Sequence, residues 1–152
     1  MRGIYFLISA IIMLMIFYFS NIPNLHVISD SQVPIWWKKL IKLTYIKIGS
    51  DGFFSYSFSL HPNFIIHKIG HIVFYGLLGI AIFLATNRSL KWAVIIAAIF
   101  ALSDEIHQGF VQGRSSRFFD ILLDVTATIT FAGIFKYLKK KQKKKPRKLQ
   151  PN

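Results

Sequence analysis

Residues 92–135 read WAVIIAAIFALSDEIHQGFVQGRSSRFFDILLDVTATITFAGIF. An apolar run from Trp92 to Ser103 meets Asp104 and Glu105. A turn-rich stretch follows, and a second apolar run from Phe118 to Phe135 carries Asp120 and Asp124 in its first turns. The first run holds only 12 residues, whereas a helix needs about 20 to cross a hydrocarbon layer of ~30 Å. It must therefore continue through the acids toward Phe110. So read, residues 92–110 and 118–138 are two antiparallel transmembrane helices with their carboxylates at the same end.

Two further runs extend the pattern. Residues 4–20 are long enough to cross, and Gly3 to Ser29 contains no Lys, Arg, Asp or Glu. The run is longer than a signal-peptide core and lacks a small-x-small cleavage site, so it is read as a retained span. Residues 69–87 form another apolar run, interrupted only by His71. Composition agrees: 53% of residues are hydrophobic and 16% charged, against about 25% charged in soluble chains, and mean hydropathy is +0.46. Global disorder is excluded. The absence of cysteine excludes a disulfide scaffold, a thiol nucleophile and a thiolate metal site.

The net charge of +13 would suggest nucleic acid on a soluble chain. Here nine of the 19 basic residues cluster between Lys136 and Lys148, which suits a basic cytoplasmic tail and not a nucleic-acid face. The expected fold is all-α, a polytopic membrane protein with four transmembrane helices in residues 1–138 (4–20, 69–87, 92–110 and 118–138) and a basic tail over 139–152. Arg2, then Arg88 and Lys91, then the tail place both termini on the cytoplasmic side. Within the first outward loop, Val33 to Ile48 (VPIWWKKLIKLTYIKI) has apolar residues at helical spacing with tryptophans and lysines. It is expected to form an extracytoplasmic helix in the headgroup layer, an ordinary loop helix packed on the bundle being the alternative.

Asp104, Glu105, Asp120 and Asp124 fall in one 21-residue window with His107, Gln108, Arg114 and Arg117. An ionisable residue within a span costs roughly 2.5–3.5 kcal/mol on insertion scales, so it is kept with a partner or a task. The topology brings these residues to one membrane face together with His67 and His71. Spacing of four puts His67, His71 and Tyr75 in one helical stripe, Asp104 with Gln108 in another, and Asp120, Asp124 and Thr128 in a third. Arg114 and Arg117 lie in the turn between the acids, and Arg grips phosphate or carboxylate bidentately. The humbler reading makes Asp120 the ion-pair partner of Arg114 or Arg117, with the histidines as hydrogen-bonded polar residues. The tail would lie on anionic lipid.

At these residues the chain resembles the VanZ-like family. His67-Lys68-Ile69-Gly70-His71 with Tyr75-Gly76-Leu77-Leu78-Gly79 is similar to its second-span motif. Ser103-Asp104-Glu105-Ile106-His107-Gln108, Phe110, Gly113-Arg114-Ser115, Asp120 and Asp124 resemble its central signature, and Phe19-Ser20 fits the end of its first span. The resemblance covers residues 4–138. It departs at Phe74, where many members carry an acid, and around Ala127 and Thr128, where a glycine is usual.

The resemblance implies a bacterial plasma-membrane protein associated with resistance to the glycopeptide teicoplanin, and an activity on phosphate-headgroup lipids of the cell envelope. On that reading the outer-face site hydrolyses or exchanges a phosphate-linked headgroup. Arg114 holds the phosphate, with Arg117, Gln108, His67 and Tyr75 assisting. His71 is nucleophile or general base, and Asp104, Glu105, Asp120 and Asp124 orient it, accept protons or hold a divalent ion. A divalent ion is compatible with these residues and required by none of them. The alternative is a non-catalytic binder that shields a lipid-linked cell-wall precursor. Substrate lipid and oligomeric state are not legible in the sequence.

Overall fold

The computed structural model describes residues 2–23, 26–50 and 52–144. Five α-helices carry the architecture: α1 (Arg2–Ser20), α2 (Ile35–Thr44), α3 (Pro62–Ala85), α4 (Leu90–Gln108) and α5 (Phe118–Lys144). A short 3₁₀ turn (Asp30–Gln32) precedes α2, and a two-stranded hairpin, β1 (Ile46–Ile48) with β2 (Tyr56–Phe58), follows it. The last residues of the expected tail, 145–152, lie outside the described residues.

The helix ends follow from local chemistry. Pro62 stands in the first turn of α3, where a missing N–H costs nothing, and the His61 ring accepts the Asn63 N–H at 3.2 Å. The second apolar helix thus begins seven residues before the expected start at Ile69 and takes in His67 as well as His71. Ser89 caps α4 by accepting the Trp92 N–H. At about 1.5 Å per residue, α3 spans roughly 36 Å.

Three helices, α1, α3 and α5, are long and apolar enough to cross a membrane. Helix α4 carries Lys91 at its start and Asp104 and Glu105 near its end, which keeps its apolar run shorter. Its Ala93, Ala97 and Ala101 are all fully buried, a stripe of small residues that lets neighbouring helices approach. Helix α3 is central and packs against α1, α4 and α5. Close approach to α5 depends on Gly79, where an added Cβ would lie 3.0 Å from the Thr128 backbone. Much of the bundle's outer surface is apolar, with Phe6, Leu7, Leu14, Ile69, Ile99 and Ile134 exposed, as expected of helices solvated by lipid.

The expected helix over Val33 to Ile48 is corrected in its second half. It stops at Thr44, whose hydroxyl bonds back to the Leu40 carbonyl at 2.8 Å. Ile46–Ile48 then pairs antiparallel with Tyr56–Phe58, because alternating β-branched residues suit a strand and Gly49, at φ 81°, reverses the chain. In α2, Ile35, Trp36, Leu40 and Leu43 are exposed, while Trp37 donates its indole N–H to the Leu60 carbonyl at 3.0 Å.

Candidate functional site

The end of α1, the first half of α3, the end of α4 and the start of α5 converge at one end of the bundle. The polar stripes expected from four-residue spacing face one another there. Asp104, Glu105, Gln108, Asp120, Asp124 and Thr128 are all buried.

His71 and Asp124 form the centre. His71 Nδ1 lies 2.9 Å from one Asp124 carboxylate oxygen and 3.2 Å from the other, and Asp124 is fully buried. Nδ1 is thereby held, and Nε2 makes no hydrogen bond among the described residues. Tyr75 stacks nearly parallel to the His71 ring, 4° between planes at 6.1 Å, and the His67 ring lies 4.8 Å away. The Tyr75 hydroxyl is buried with no partner among the described residues. Thr128, four residues beyond Asp124, donates its hydroxyl to the Tyr75 carbonyl at 3.1 Å and ties α5 to α3.

Asp104 and Glu105 are neighbours in sequence with different tasks. One Asp104 oxygen accepts the Gln108 amide at 2.8 Å, and Gln108 also donates to the Ser20 hydroxyl at 3.2 Å. The other Asp104 oxygen is buried without a partner among the described residues. Glu105 accepts the Arg117 backbone N–H at 2.7 Å on one oxygen and leaves the second buried and unbonded among the described residues. Arg117 thus enters the site through its backbone, and its guanidinium makes no hydrogen bond or ion pair among the described residues.

The ion pairing differs from the sequence expectation. Asp120 pairs with Lys68 on α3, not with Arg114 or Arg117. Arg114, delivered by the turn at Gly113 (φ 76°), instead donates to His67 Nε2 and to the Phe19 carbonyl at the end of α1. Its Nε is buried and unbonded among the described residues. Burial pulls the Arg114 pKa down from its ordinary value, and nearby Asp104 and Glu105 oppose the shift. The group stays charged at any working pH.

A cavity of about 230 Å³ opens between α1 and α3 at this cluster. Ile16, Phe19, Val27, Ile66 and Phe74 make its apolar wall, and His67, His71, Tyr75, Asp104 and Arg114 its polar lining. Phe74, at the position where an acid is usual in the family resembled, extends the apolar wall. His71, Glu105 and Asp124 each present one donor atom, all within 4.8 Å of one another, a mixed nitrogen and oxygen set that suits a divalent cation.

Every candidate residue named from the sequence thus lies at this end. The sequence pattern assigns Lys68 no role, although a lysine two turns into an apolar helix demands an acid. Asn63 is equally silent in the sequence. Its side chain accepts the Val27 and Ile28 N–H groups and donates to the Ile28 carbonyl at 2.7 Å, fixing the chain after α1 across the cavity.

No curated protein and no solved structure matches this chain significantly. The sequence profile of the VanZ/LLP1 family matches residues 5–139. Nearly the whole chain, with every residue of the buried cluster, falls inside that match, and the protein belongs to the VanZ/LLP1 family.

Proposed function

We propose that the protein acts on a phosphate-headgroup lipid of the bacterial cell envelope, hydrolysing or exchanging the headgroup at the His71–Asp124 centre. The observation that carries this reading is the form of the α1/α3 cavity, an apolar wall beside a polar lining that includes a half-buried arginine and a histidine held by a carboxylate. An amphipathic ligand matches both surfaces. Membership of VanZ/LLP1 connects the chain in general terms with teicoplanin resistance.

In this reading α4 also crosses, as the third of four spans, its acids tolerated because they are buried against α1, α3 and the 109–117 turn. Arg88, Lys91 and the tail face the cytoplasm, which puts both termini there and the polar cluster outside. Helix α2 lies in the outer headgroup layer with Trp36 and Leu43 toward lipid and Lys38, Lys39 and Lys42 among the headgroups. Arg114 uses donors left over from His67 and Phe19 to hold the phosphate. His71 Nε2 takes the proton from an attacking water or alcohol whose oxygen attacks phosphorus. Asp124 stabilises the imidazolium, and the same proton passes to the departing headgroup oxygen. Asp104, Gln108 and Tyr75 orient the ligand, while Glu105 and the Lys68–Asp120 pair hold the turn and the helices around it.

The test is lipid profiling of membranes with and without the protein, against Asp104→Asn at matched membrane abundance. A phosphate-headgroup lipid that changes only with the active form supports the reading and names the substrate. Identical profiles in all three membranes oppose it.

A further inference from the structure

The opposite end of the bundle holds a second cavity, of about 210 Å³, lined by Phe83, Arg88, Phe135, Lys136, Lys139 and Lys140. It lies between the end of α3 and α5. Phe83 is buried and meets Phe135 edge to face, ring centroids 6.4 Å apart. Lys139 Nζ stands 5.5 Å over the Phe135 ring. The site therefore has an aromatic floor and a rim of four cations.

Two independent features set it apart from an ordinary basic surface. The first is charge. The six acidic residues are Asp30, Asp51, Asp104, Glu105, Asp120 and Asp124, and none lies in residues 83–91 or 135–144. Among the described residues Arg88, Lys136, Lys139 and Lys140 make no ion pair, although four like charges around one cavity repel one another. The second is backbone. Asn87 and Arg88 are consecutive non-glycine residues in the left-handed region, at φ 56° and 61°, and the Arg88 N–H donates to the Phe83 carbonyl at 2.8 Å. Such conformations persist where the surroundings fix them. Here they end α3 and hold Arg88 at the cavity.

We infer that this cavity binds the phosphate of an anionic glycerophospholipid, with Arg88 as the fork, the three lysines as its rim and one acyl chain leaving along α5. A phosphate supplies the missing counter-charge, and guanidinium geometry suits it. A lipid suits the site better than a soluble anion, because the floor is aromatic and exposed Ile134 and Leu138 continue an apolar surface down α5. Basic pockets between membrane helices hold anionic headgroups in this manner. The site takes in the first two lysines of the tail, Lys139 and Lys140, but differs from diffuse attraction of the tail for anionic lipid in its fixed cavity with Arg88 and the two phenylalanines, and it does not depend on the chemistry at His71.

The experiment measures thermal unfolding of the full-length protein in detergent with phosphatidylglycerol or phosphatidylcholine added. Phosphatidylglycerol at about a hundredfold over its Kd is expected to raise Tm by roughly 5–10 °C over phosphatidylcholine. Arg88→Asn with Lys139→Gln should abolish that difference, asparagine being chosen because it tolerates the left-handed backbone. Lys91→Gln with Lys141→Gln removes equal charge from the same end outside the cavity and should keep it. Lys139→Gln alone should weaken it, which guards against a folding defect in the double variant. Equal shifts with both lipids, equal losses in both double variants, or the same shift with pyrophosphate alone would each overturn the inference.

Discussion

Lys68 and Asp120 show how a single side chain decides what its neighbours can be. Asp120 is buried and its carboxylate is satisfied by Lys68 from another helix, 52 positions away. Removing one partner leaves an uncompensated charge, which costs about 3–5 kcal/mol in a buried pair, whereas removing both can be nearly neutral. Lys68→Met should therefore lower the unfolding temperature of detergent-solubilised protein strongly, and Lys68→Met with Asp120→Asn should recover most of the loss. Equal destabilisation in the two variants would show that Asp120 is held by something else. Arg114 gives a second residue-scale expectation. Its guanidinium reaches His67 and Phe19 together, which a single ammonium does poorly. Arg114→Lys should keep the charge and membrane abundance but lose about tenfold or more of the lipid turnover, roughly the 1.4 kcal/mol of one charge-assisted bond. Near-native turnover would remove Arg114 from phosphate binding. The acids are legible in the sequence because a carboxylate in an apolar run stands out. The Lys68 pairing is not, because nothing local tells a lysine which of four acids it will meet.

Among the elements, α3 bears the most, since it packs on three helices and lines the cavity. Its glycines divide by what a side chain would meet. At Gly79 a Cβ would come within 3.0 Å of the Thr128 backbone, and at Gly76 within 2.6 Å of the Phe131 ring, whereas at Gly70 it would meet nothing within 4 Å. Gly79→Ala should force α3 from α5 and cost about 1–3 kcal/mol. Gly70→Ala should instead be neutral or stabilising by up to about 1 kcal/mol, from helix propensity. Because Gly70 lines the α1/α3 cavity, Gly70→Leu should fill it and abolish lipid turnover without unfolding the protein. Gly133→Leu on α5, where a Cβ also meets nothing within 4 Å, is the control that should leave turnover intact. Turnover unchanged in Gly70→Leu would remove the cavity from the lipid path. The long helices are readable from apolar runs, and their polar stripes from spacing of four. The hairpin is not, because Ile46 and Ile48 continue the apolar rhythm of α2. Only the Gly49-Ser50-Asp51-Gly52 stretch signals a turn there.

On the scale of the whole molecule, the two ends of the bundle are chemically opposed. One gathers the buried carboxylates with His71 and Arg114, the other the cations of Arg88, Lys136, Lys139 and Lys140, which make no ion pair among the described residues. Charge asymmetry of this kind sets orientation in a membrane. A reporter fused after Lys148 is expected to read cytoplasmic, and one inserted in the hairpin turn after Ser50 to read external. The same side for both would mean that α4 does not cross. The expected orientation is legible from the positions of the basic residues, and the meeting of four helix ends at one cluster follows from it. The distribution of hydrogen bonds within the cluster is not, because it depends on side-chain reach across helices distant in sequence. The most direct measurement is headgroup release from phosphate-headgroup lipids by purified protein in proteoliposomes, wild type beside His71→Ala at equal reconstitution. Release by the wild type and loss of nearly all of it, about a hundredfold or more, in His71→Ala is the expected result. Lipid binding retained in both proteins with no release from either would contradict catalysis at the His71–Asp124 centre and leave a binder in its place.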